Sequence, residues 1–263
     1  MVYGKAIYHI VSFGKGYGKT ALIEVLTKKL RLMGYKVAVI KHAHRGIDIK
    51  DKDSYRIIEA GANTVIAISK NFQAMFKRET LSLIEDMITS LSVKEPLILI
   101  EGFKNYRGYP KIVLVRNKSE LMKAKSSFGK ECFLIVNVSK EHLENSECEV
   151  YTFSDIGEIL EKILSNAREK IAKKDLPGIN CKFCGYPTCI DFAEAVLKGE
   201  KTILNCPVVS EIELKVNGIK IPLSPYPKLV IYEVLKGLLK SLKGVPKEIE
   251  SLELKISYGK ERK

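Results

Sequence analysis

A glycine-rich stretch close to the N-terminus has the composition of a phosphate-binding loop. Residues 13–20 read Phe-Gly-Lys-Gly-Tyr-Gly-Lys-Thr. The standard P-loop has Gly, four residues and then Gly-Lys-Ser/Thr. Gly18, Lys19 and Thr20 match that pattern, whereas Phe13 stands at the position of the first glycine. The other glycines still let the backbone turn so that successive N–H groups face phosphate oxygens. We therefore expect a nucleoside triphosphate here, with Lys19 on its β- and γ-phosphates and the Thr20 hydroxyl on Mg²⁺.

The predicted nucleotide-binding residues cover the loop and the first turn of the helix expected after it. They are Gly14, Lys15, Gly16, Tyr17, Gly18, Lys19, Thr20 and Ala21. The motif by itself leaves ATP and GTP open.

Two acidic residues outside the loop are also predicted to serve the nucleotide. Glu101 directly follows the apolar run 97–100. An acid at the carboxyl end of a parallel strand lies at the ligand crevice, where it can hold Mg²⁺ or its waters. Asp48 lies in the polar segment 41–56, which also contains His42 and His44. We expect this segment to overlie the phosphates, and we do not predict a transition-metal site there because a third well-placed ligand is absent from the sequence.

Four of the six cysteines fall within 26 residues: Cys181, Cys184, Cys189 and Cys206. Structural zinc sites usually show two separated Cys-x₂-Cys pairs. Three cysteines within nine residues and a distant fourth fit an iron–sulfur cubane better, because one compact loop can supply three corners. We predict a [4Fe–4S] cluster, with zinc as the alternative. Cys132 borders an apolar strand and is read as a core residue, and Cys148 as incidental.

The elements that must position these residues alternate between strand and helix over the first 165 residues or so. Apolar runs predict strands at 6–11, 37–40, 64–68, 97–100, 112–115 and 133–136. The sequence predicts helices at 20–33, 54–60, 80–91, 156–167 and 190–197, and a charged helical stretch at 166–174. A hairpin (211–216 and 219–222), a helix (229–242) and a strand (252–257) complete the chain.

This pattern predicts an α/β fold, a P-loop NTPase-like three-layer sandwich with a mostly parallel sheet. A small iron–sulfur domain and a small α+β C-terminal unit should follow. The predicted boundaries are 1–170 for the nucleotide-binding domain, 171–210 for the four-cysteine domain and 211–263 for a β-β-α-β unit.

The composition is that of a globular protein, with 46% hydrophobic residues and no apolar run long enough to cross a bilayer. The N-terminus lacks the features of a secretory signal, so we expect a cytoplasmic protein without a membrane partner. The formal net charge is +13. Such a charge can mark a surface for nucleic acid or membrane. However, the lysines are spread singly along predicted helices, so we favour a Lys/Glu-rich surface and do not expect nucleic acid as a partner.

The first part of the chain resembles a known family. The P-loop, Lys41-His42-Ala43-His44 with Asp48, Glu59-Ala60-Gly61-Ala62 and Glu101-Gly102-Phe103-Lys104 look like the molybdopterin-guanine dinucleotide biosynthesis protein B (MobB) family. The likeness covers roughly residues 5–155. It implies a GTP-binding accessory protein, at most a weak Mg²⁺-dependent GTPase. The implied partner is the enzyme that attaches a guanine nucleotide to molybdopterin, and the oligomeric state stays open, a homodimer being one option.

The cysteine segment resembles a second family. The run from Leu176 to Cys189, with Phe192-Ala193 and Cys206-Pro207, is similar to the four-cysteine [4Fe–4S] domain of corrinoid iron–sulfur proteins and of a ferredoxin-like electron-transport subunit. The likeness covers about 35 residues.

The leading hypothesis is therefore a GTP-binding accessory protein of molybdenum or tungsten cofactor biosynthesis that carries an iron–sulfur module. The alternative is a nucleotide-dependent redox or metallocentre maturation factor in which the cluster is the working part.

Overall fold

Six parallel strands form the central sheet in the computed structural model of this chain, in the order β2-β5-β1-β6-β7-β8. The structure describes residues 3–42, 56–57, 60–62, 64–77, 83–139, 143, 149–209, 212–246, 249 and 252–256. The strands of the sheet are β1 (Ala6–Ser12), β2 (Val37–Lys41), β5 (Leu97–Glu101), β6 (Lys111–Val115), β7 (Cys132–Asn137) and β8 (Val150–Tyr151). The predicted parallel α/β sheet is confirmed.

The described helices of the first part are α1 (Lys19–Leu32), α2 (Ile84–Ser90), α3 (Lys118–Phe128), α4 (Ile156–Lys174) and α5 (Cys189–Leu197). Helices α1 to α4 cover the two faces of the sheet, since side chains alternate between those faces along each strand, and α5 packs against α4. Ile7 of β1 packs with α2, and Val11 packs with α3. Tyr8 points to the other face, where its hydroxyl donates to the Ile163 carbonyl of α4 at 3.0 Å. The three predicted layers are therefore present.

The central strands are buried because both faces of the sheet are covered. Each residue from Leu97 to Ile100 and from Ile112 to Val115 is 0% exposed. Near-continuous apolar runs of this kind are typical of parallel sheets, and they explain why these strands could be predicted from the sequence.

The predictions for two strands need correction. The predicted strand at 64–68 exists as β3 (Thr64–Ile68), but it pairs antiparallel with β4 (Gln73–Lys77) in a separate hairpin. The side chains of β4 are mostly exposed, so the sequence contains no apolar run that would have predicted this second strand of the hairpin. The predicted strand at 252–257 is wrong over its described part, because residues 252–256 are not in a strand.

Two further differences concern helices. Helix α3 was not predicted, although its apolar residues have helical spacing. The predicted helix at 54–60 lies mostly outside the described residues.

The chain folds into two compact units, Met1–Cys206 and Pro207–Lys263. The first contains the sheet and the cysteine segment; the predicted three-domain boundaries stay a prediction. In the second, β9 (Leu214–Val216) and β10 (Ile219–Ile221) form the predicted antiparallel hairpin, and α6 (Pro225–Ser241) follows. Asn217 and Gly218 have φ of 53° and 81°, the left-handed conformation that a two-residue hairpin turn requires. No helix among the described residues has the length and apolar character needed to span a bilayer.

Candidate functional site

The glycine-rich loop joins the carboxyl end of β1 to the amino end of α1. Gly16 and Gly18 have φ of 72° and 77°, a left-handed backbone that residues with a Cβ atom rarely adopt. Gly18 is the N-cap of α1, and its carbonyl accepts the Leu22 N–H at 2.9 Å. The first turn of α1 contains no acidic residue. The helix therefore presents unsatisfied N–H groups and a partial positive charge to the loop, as anion sites do.

Lys19 folds back across the loop. Its Nζ donates to Ser12 Oγ at 2.9 Å and approaches the Gly14 carbonyl at 3.5 Å. Among the residues that the structure describes, no carboxylate forms an ion pair with Lys19. The ammonium is thus held over the loop by neutral oxygens, and its charge is available to an anion.

Thr20 and Glu101 meet at the edge of the sheet because β1 and β5 are adjacent parallel strands. The Thr20 hydroxyl lies 3.1 Å from each carboxylate oxygen of Glu101. A hydroxyl and a carboxylate at this distance form the kind of oxygen ligand pair that Mg²⁺ takes in nucleotide sites. The predicted positions of both residues therefore converge in the structure.

Three side chains brace the tip of the loop against the β6–α3 connection. Arg116 donates to the Gly16 carbonyl at 2.6 Å, and its guanidinium lies 4.1 Å from the centroid of the Tyr17 ring. The Tyr17 hydroxyl donates to Glu120, and this hydrogen bond raises the pKa of the Tyr17 phenol. Sequence reasoning missed Arg116 and Glu120. The available signal was the position of Arg116 directly after a buried parallel strand, where functional side chains collect.

Phe13, the departure from the standard P-loop, has a packing role. Its ring stacks on Phe128 of α3 with centroids 6.0 Å apart and packs on the core cluster beneath that helix. The side chain thereby ties the start of the loop to α3. Of the other predicted loop residues, Lys15 is exposed within the loop, and Ala21 is exposed in the first turn of α1.

The end of β2 lies beside Glu101. The His42 N–H donates to the Glu101 carbonyl at 3.0 Å, and the His42 ring stacks on Phe103 with centroids 4.4 Å apart. Gly102 has φ of 98°, and a Cβ there would lie 3.0 Å from the His42 Cβ. This close approach explains the glycine after Glu101. Asp48 and His44 lie outside the described residues.

The four clustered cysteines, Cys181, Cys184, Cys189 and Cys206, line one pocket. Phe192, which is 1% exposed, forms an apolar part of its wall. Such a wall keeps water away from bound metal and sulfide, so the donor set and its surroundings fit an iron–sulfur cluster.

Local hydrogen bonds fix the backbone around Cys189, where α5 begins. Thr188 and Asp191 form a capping box, in which the Asp191 N–H donates to Thr188 Oγ1 at 3.1 Å and the Thr188 N–H donates to Asp191 Oδ2 at 3.0 Å. The Cys189 N–H donates to Asn180 Oδ1 at 2.8 Å. These hydrogen bonds hold one cysteine at the start of a helix and join it to the turn that carries the first two.

Among the described residues, no group of three or more His, Cys, Asp or Glu side chains is placed to hold one metal ion. The four cysteines share the lining of one common pocket.

The cysteine segment is attached to the sheet at two places. The Gly4 N–H, just before β1, donates to Asp175 Oδ2 at 3.0 Å at the end of α4. Burial raises the pKa of Asp175. The Tyr35 hydroxyl, just after α1, donates to Glu194 of α5, and burial followed by this hydrogen bond raises the pKa of Tyr35.

Comparison with known families gives two matches along the chain. The model of the MobB family, described as "Molybdopterin guanine dinucleotide synthesis protein B", matches residues 7–137. A second model, described as "Putative Fe-S cluster", matches residues 176–208, which include all four clustered cysteines.

Three individual proteins are similar to this chain or to part of it. A Methanocaldococcus jannaschii protein named "Putative molybdopterin-guanine dinucleotide biosynthesis adapter protein" is 30% identical over 251 residues, 92% of this chain and 95% of the relative. The acetyl-CoA decarbonylase/synthase complex subunit gamma of the same organism is 46% identical over 48 residues, 18% of this chain and 10% of that protein. The crystal structure of a MobB homolog from Bacillus stearothermophilus has 22% identity and a TM-score of 0.46, covering 62% of this chain and 98% of that one. Because the adapter protein matches along nearly its whole length, this chain belongs to the MobB family of molybdopterin-guanine dinucleotide biosynthesis adapter proteins and carries a segment of the Fe-S cluster family at residues 176–208.

Proposed function

We propose that this protein binds GTP with Mg²⁺ at the P-loop and acts as an adapter for the enzyme that attaches a guanine nucleotide to molybdopterin. Family membership supports the pathway and the choice of guanine. The observation that carries nucleotide binding is the meeting of Thr20 with Glu101 at 3.1 Å beside the loop that holds Lys19.

Each predicted residue has a defined part in this proposal. The loop N–H groups and the amino end of α1 receive the phosphates, and Lys19 neutralises charge on the β- and γ-phosphates. Thr20 and Glu101 would hold the magnesium ion. Where hydrolysis occurs, Lys19 and the ion would stabilise charge on the β–γ bridge. We assign no general base among the described residues, so any GTPase activity is expected to be slow.

The test is a calorimetric titration with GTP in the presence and absence of Mg²⁺. A charged hydrogen-bond partner contributes about 1.5–3 kcal/mol, so Lys19→Ala should weaken GTP binding by at least about tenfold. Lys28→Ala, an exposed lysine on the same helix, is the matched control and should bind like wild type. Thr20→Val should remove most of the Mg²⁺ dependence, and ATP should compete poorly. Absence of GTP binding, or equal affinities for Lys19→Ala and wild type, would refute the proposal.

We further propose that Cys181, Cys184, Cys189 and Cys206 hold a [4Fe–4S] cluster. The support is the shared pocket with its buried Phe192 wall and the match of residues 176–208 to the Fe-S cluster family. When bound, the cluster would supply one-electron chemistry or rigidity to the segment. The four thiolates are its ligands.

Anaerobic purification followed by iron, sulfide and zinc analysis tests this assignment. We expect about four iron and four sulfide per chain. Cys189→Ser should lose most of the iron, whereas Cys132→Ser, outside the pocket on β7, should keep it. Stoichiometric zinc without sulfide would overturn the [4Fe–4S] assignment and leave the GTP proposal untouched.

A further inference from the structure

A second pocket lies beside the P-loop, between the β5–β6 connection and α3. Its volume is about 340 Å³, at the lower end of the range of about 300–1,000 Å³ typical of small-molecule sites. Phe13 and Phe128 form its apolar part, and Lys104, Arg107 and Lys123 form its basic part. We call these five residues the basic pocket.

The charge of the basic pocket is unbalanced. Arg107 has a carboxylate partner, Glu131, at 3.6 Å. Lys104 and Lys123 form no ion pair with any carboxylate among the described residues. Instead, their Nζ atoms lie 5.9 and 5.3 Å from the centroid of the Phe13 ring. Two unneutralised ammonium groups beside one aromatic ring attract an anion, and they place it against a flat apolar surface.

The aromatic part of the pocket is held in place. Phe128 is 7% exposed and belongs to the core cluster beneath α3, and Phe13 stacks on it. A planar ligand would therefore meet a fixed ring that needs no ordering on binding. This fixed geometry favours a ring system over a flexible chain.

The position of the pocket relates it to the nucleotide. Phe13 is the first residue after β1, and Lys104 follows Glu101 by three residues at the end of β5. Both lie at the carboxyl edge of the sheet, where α/β proteins bind their ligands. The pocket thus opens at the same edge as the P-loop, yet none of its basic residues belongs to that loop.

We propose that the basic pocket is a second ligand site, which binds an organic phosphate ester carrying a planar ring. The ring lies on Phe13, and the phosphate contacts Lys104 and Lys123. A pterin phosphate and a second nucleotide share this chemistry. The site goes beyond the proposed GTP site, because it needs neither Lys19 nor Thr20.

Saturation-transfer NMR with phenyl phosphate as the probe tests the site. The titration is run on the full chain with a non-hydrolysable GTP analogue and Mg²⁺ in saturating amounts, and again without nucleotide. We expect binding in both states. Inorganic phosphate lacks the ring, so its affinity, measured by competition with the probe, should be at least about tenfold lower than that of phenyl phosphate. Benzyl alcohol lacks the charge and should not bind. Separate titrations with guanosine monophosphate and with 6-hydroxymethylpterin phosphate distinguish the two sources.

Matched variants assign the binding to the pocket. Lys104→Gln combined with Lys123→Gln should lower the affinity for phenyl phosphate by at least about tenfold, because two charged partners of the phosphate are lost. Lys118→Gln combined with Lys28→Gln removes the same charge from exposed sites outside the pocket and should change affinity by less than about twofold. Phe13→Leu should weaken binding by about two- to tenfold through loss of ring stacking.

Two results would overturn the inference. One is equal probe affinity in the two double-lysine variants. The other is loss of nucleotide-free probe binding in Lys19→Ala, which would place the probe in the P-loop. Failure of the protein to bind GTP would refute the proposed function but not this inference, because the titration without nucleotide still measures binding to the basic pocket. If Phe13→Leu does not fold, the exposed lysine variants decide the matter.

Discussion

One buried ion pair should dominate the stability of the segment that forms the basic pocket. Lys111 is 0% exposed, and its Nζ lies 2.7 Å from Glu131 Oε2 and 2.7 Å from the Tyr106 carbonyl. The same carboxylate accepts the Gly108 N–H at 2.7 Å and lies 3.6 Å from Arg107, whose side chain is 62% exposed. One acid thus joins a buried cation and an exposed cation to the β5–β6 connection.

The perturbation is Glu131→Gln, which leaves the Lys111 ammonium buried with neutral acceptors. Removing one partner of a buried pair costs about 3–5 kcal/mol. Because the Glu131 side chain is 23% exposed, we expect the lower end, about 3 kcal/mol. Arg107→Gln breaks the exposed pair of the same acid and should cost about 1 kcal/mol or less.

The direction of the stability change in a third variant gives an independent test of the same reasoning. Lys111→Met combined with Glu131→Gln removes the buried charge together with its partner, so this double variant should be more stable than Glu131→Gln alone. The assay is urea denaturation at pH 7 followed by far-UV circular dichroism. If Glu131→Gln costs no more than Arg107→Gln, or if the double variant is the less stable, the reasoning is wrong.

Two further predictions concern other parts of the first unit. His9 is 0% exposed, and burial followed by the charge of Lys111 lowers its pKa to about 4. The unfolded chain therefore binds a proton between pH 6.5 and about 4 that the folded chain does not. Stability should decrease as the pH is lowered across that window, by at most about 3.4 kcal/mol at 1.36 kcal/mol per pKa unit. His9→Phe should flatten the dependence, and a wild-type slope in its denaturation midpoints would refute this origin. Thr188→Ala removes the cap of the helix that starts at Cys189, costs about 1 kcal/mol and should speed iron release to a chelator. Thr152→Ala, an equivalent cap before α4, is the control, and equal iron release from both variants would contradict the assignment.

The central sheet could be predicted because burial on both faces forces unbroken apolar runs. Strands β1, β5 and β6 are of this kind, and their bounds agree with the structure to within one residue. The β3–β4 hairpin has mostly exposed side chains, so no apolar pattern identified β4. Residues 252–256 show the opposite failure, because an alternating apolar pattern occurs there without a strand among the described residues.

The candidate site was predictable where chemistry restricts residue type. A P-loop lysine and clustered cysteines have few substitutes, so Lys19 and the four thiols stand out in the sequence. The side chains that brace the loop do not stand out in this way. Arg116 and Glu120 act on the loop only because β6 lies next to β1, a neighbourhood that strand order creates and local sequence does not record. The role of Phe13 likewise depends on α3, a helix that was not predicted although its apolar residues have helical spacing.

The nucleotide loop and the cysteine pocket lie at opposite ends of one helix. A Cβ on Gly18 would lie 3.4 Å from Phe153, just before α4, and Leu176, just after α4, lines the cysteine pocket. α4 has 19 residues, so its ends are about 28 Å apart at 1.5 Å per residue. A cluster in that pocket would therefore not touch a nucleotide in the P-loop. An influence of one on the other can pass through α4 and β1, which the Gly4–Asp175 hydrogen bond joins at the cysteine end, or through α1, which the Tyr35–Glu194 hydrogen bond joins to α5. This separation argues against a mechanism in which the cluster acts directly on the bound nucleotide.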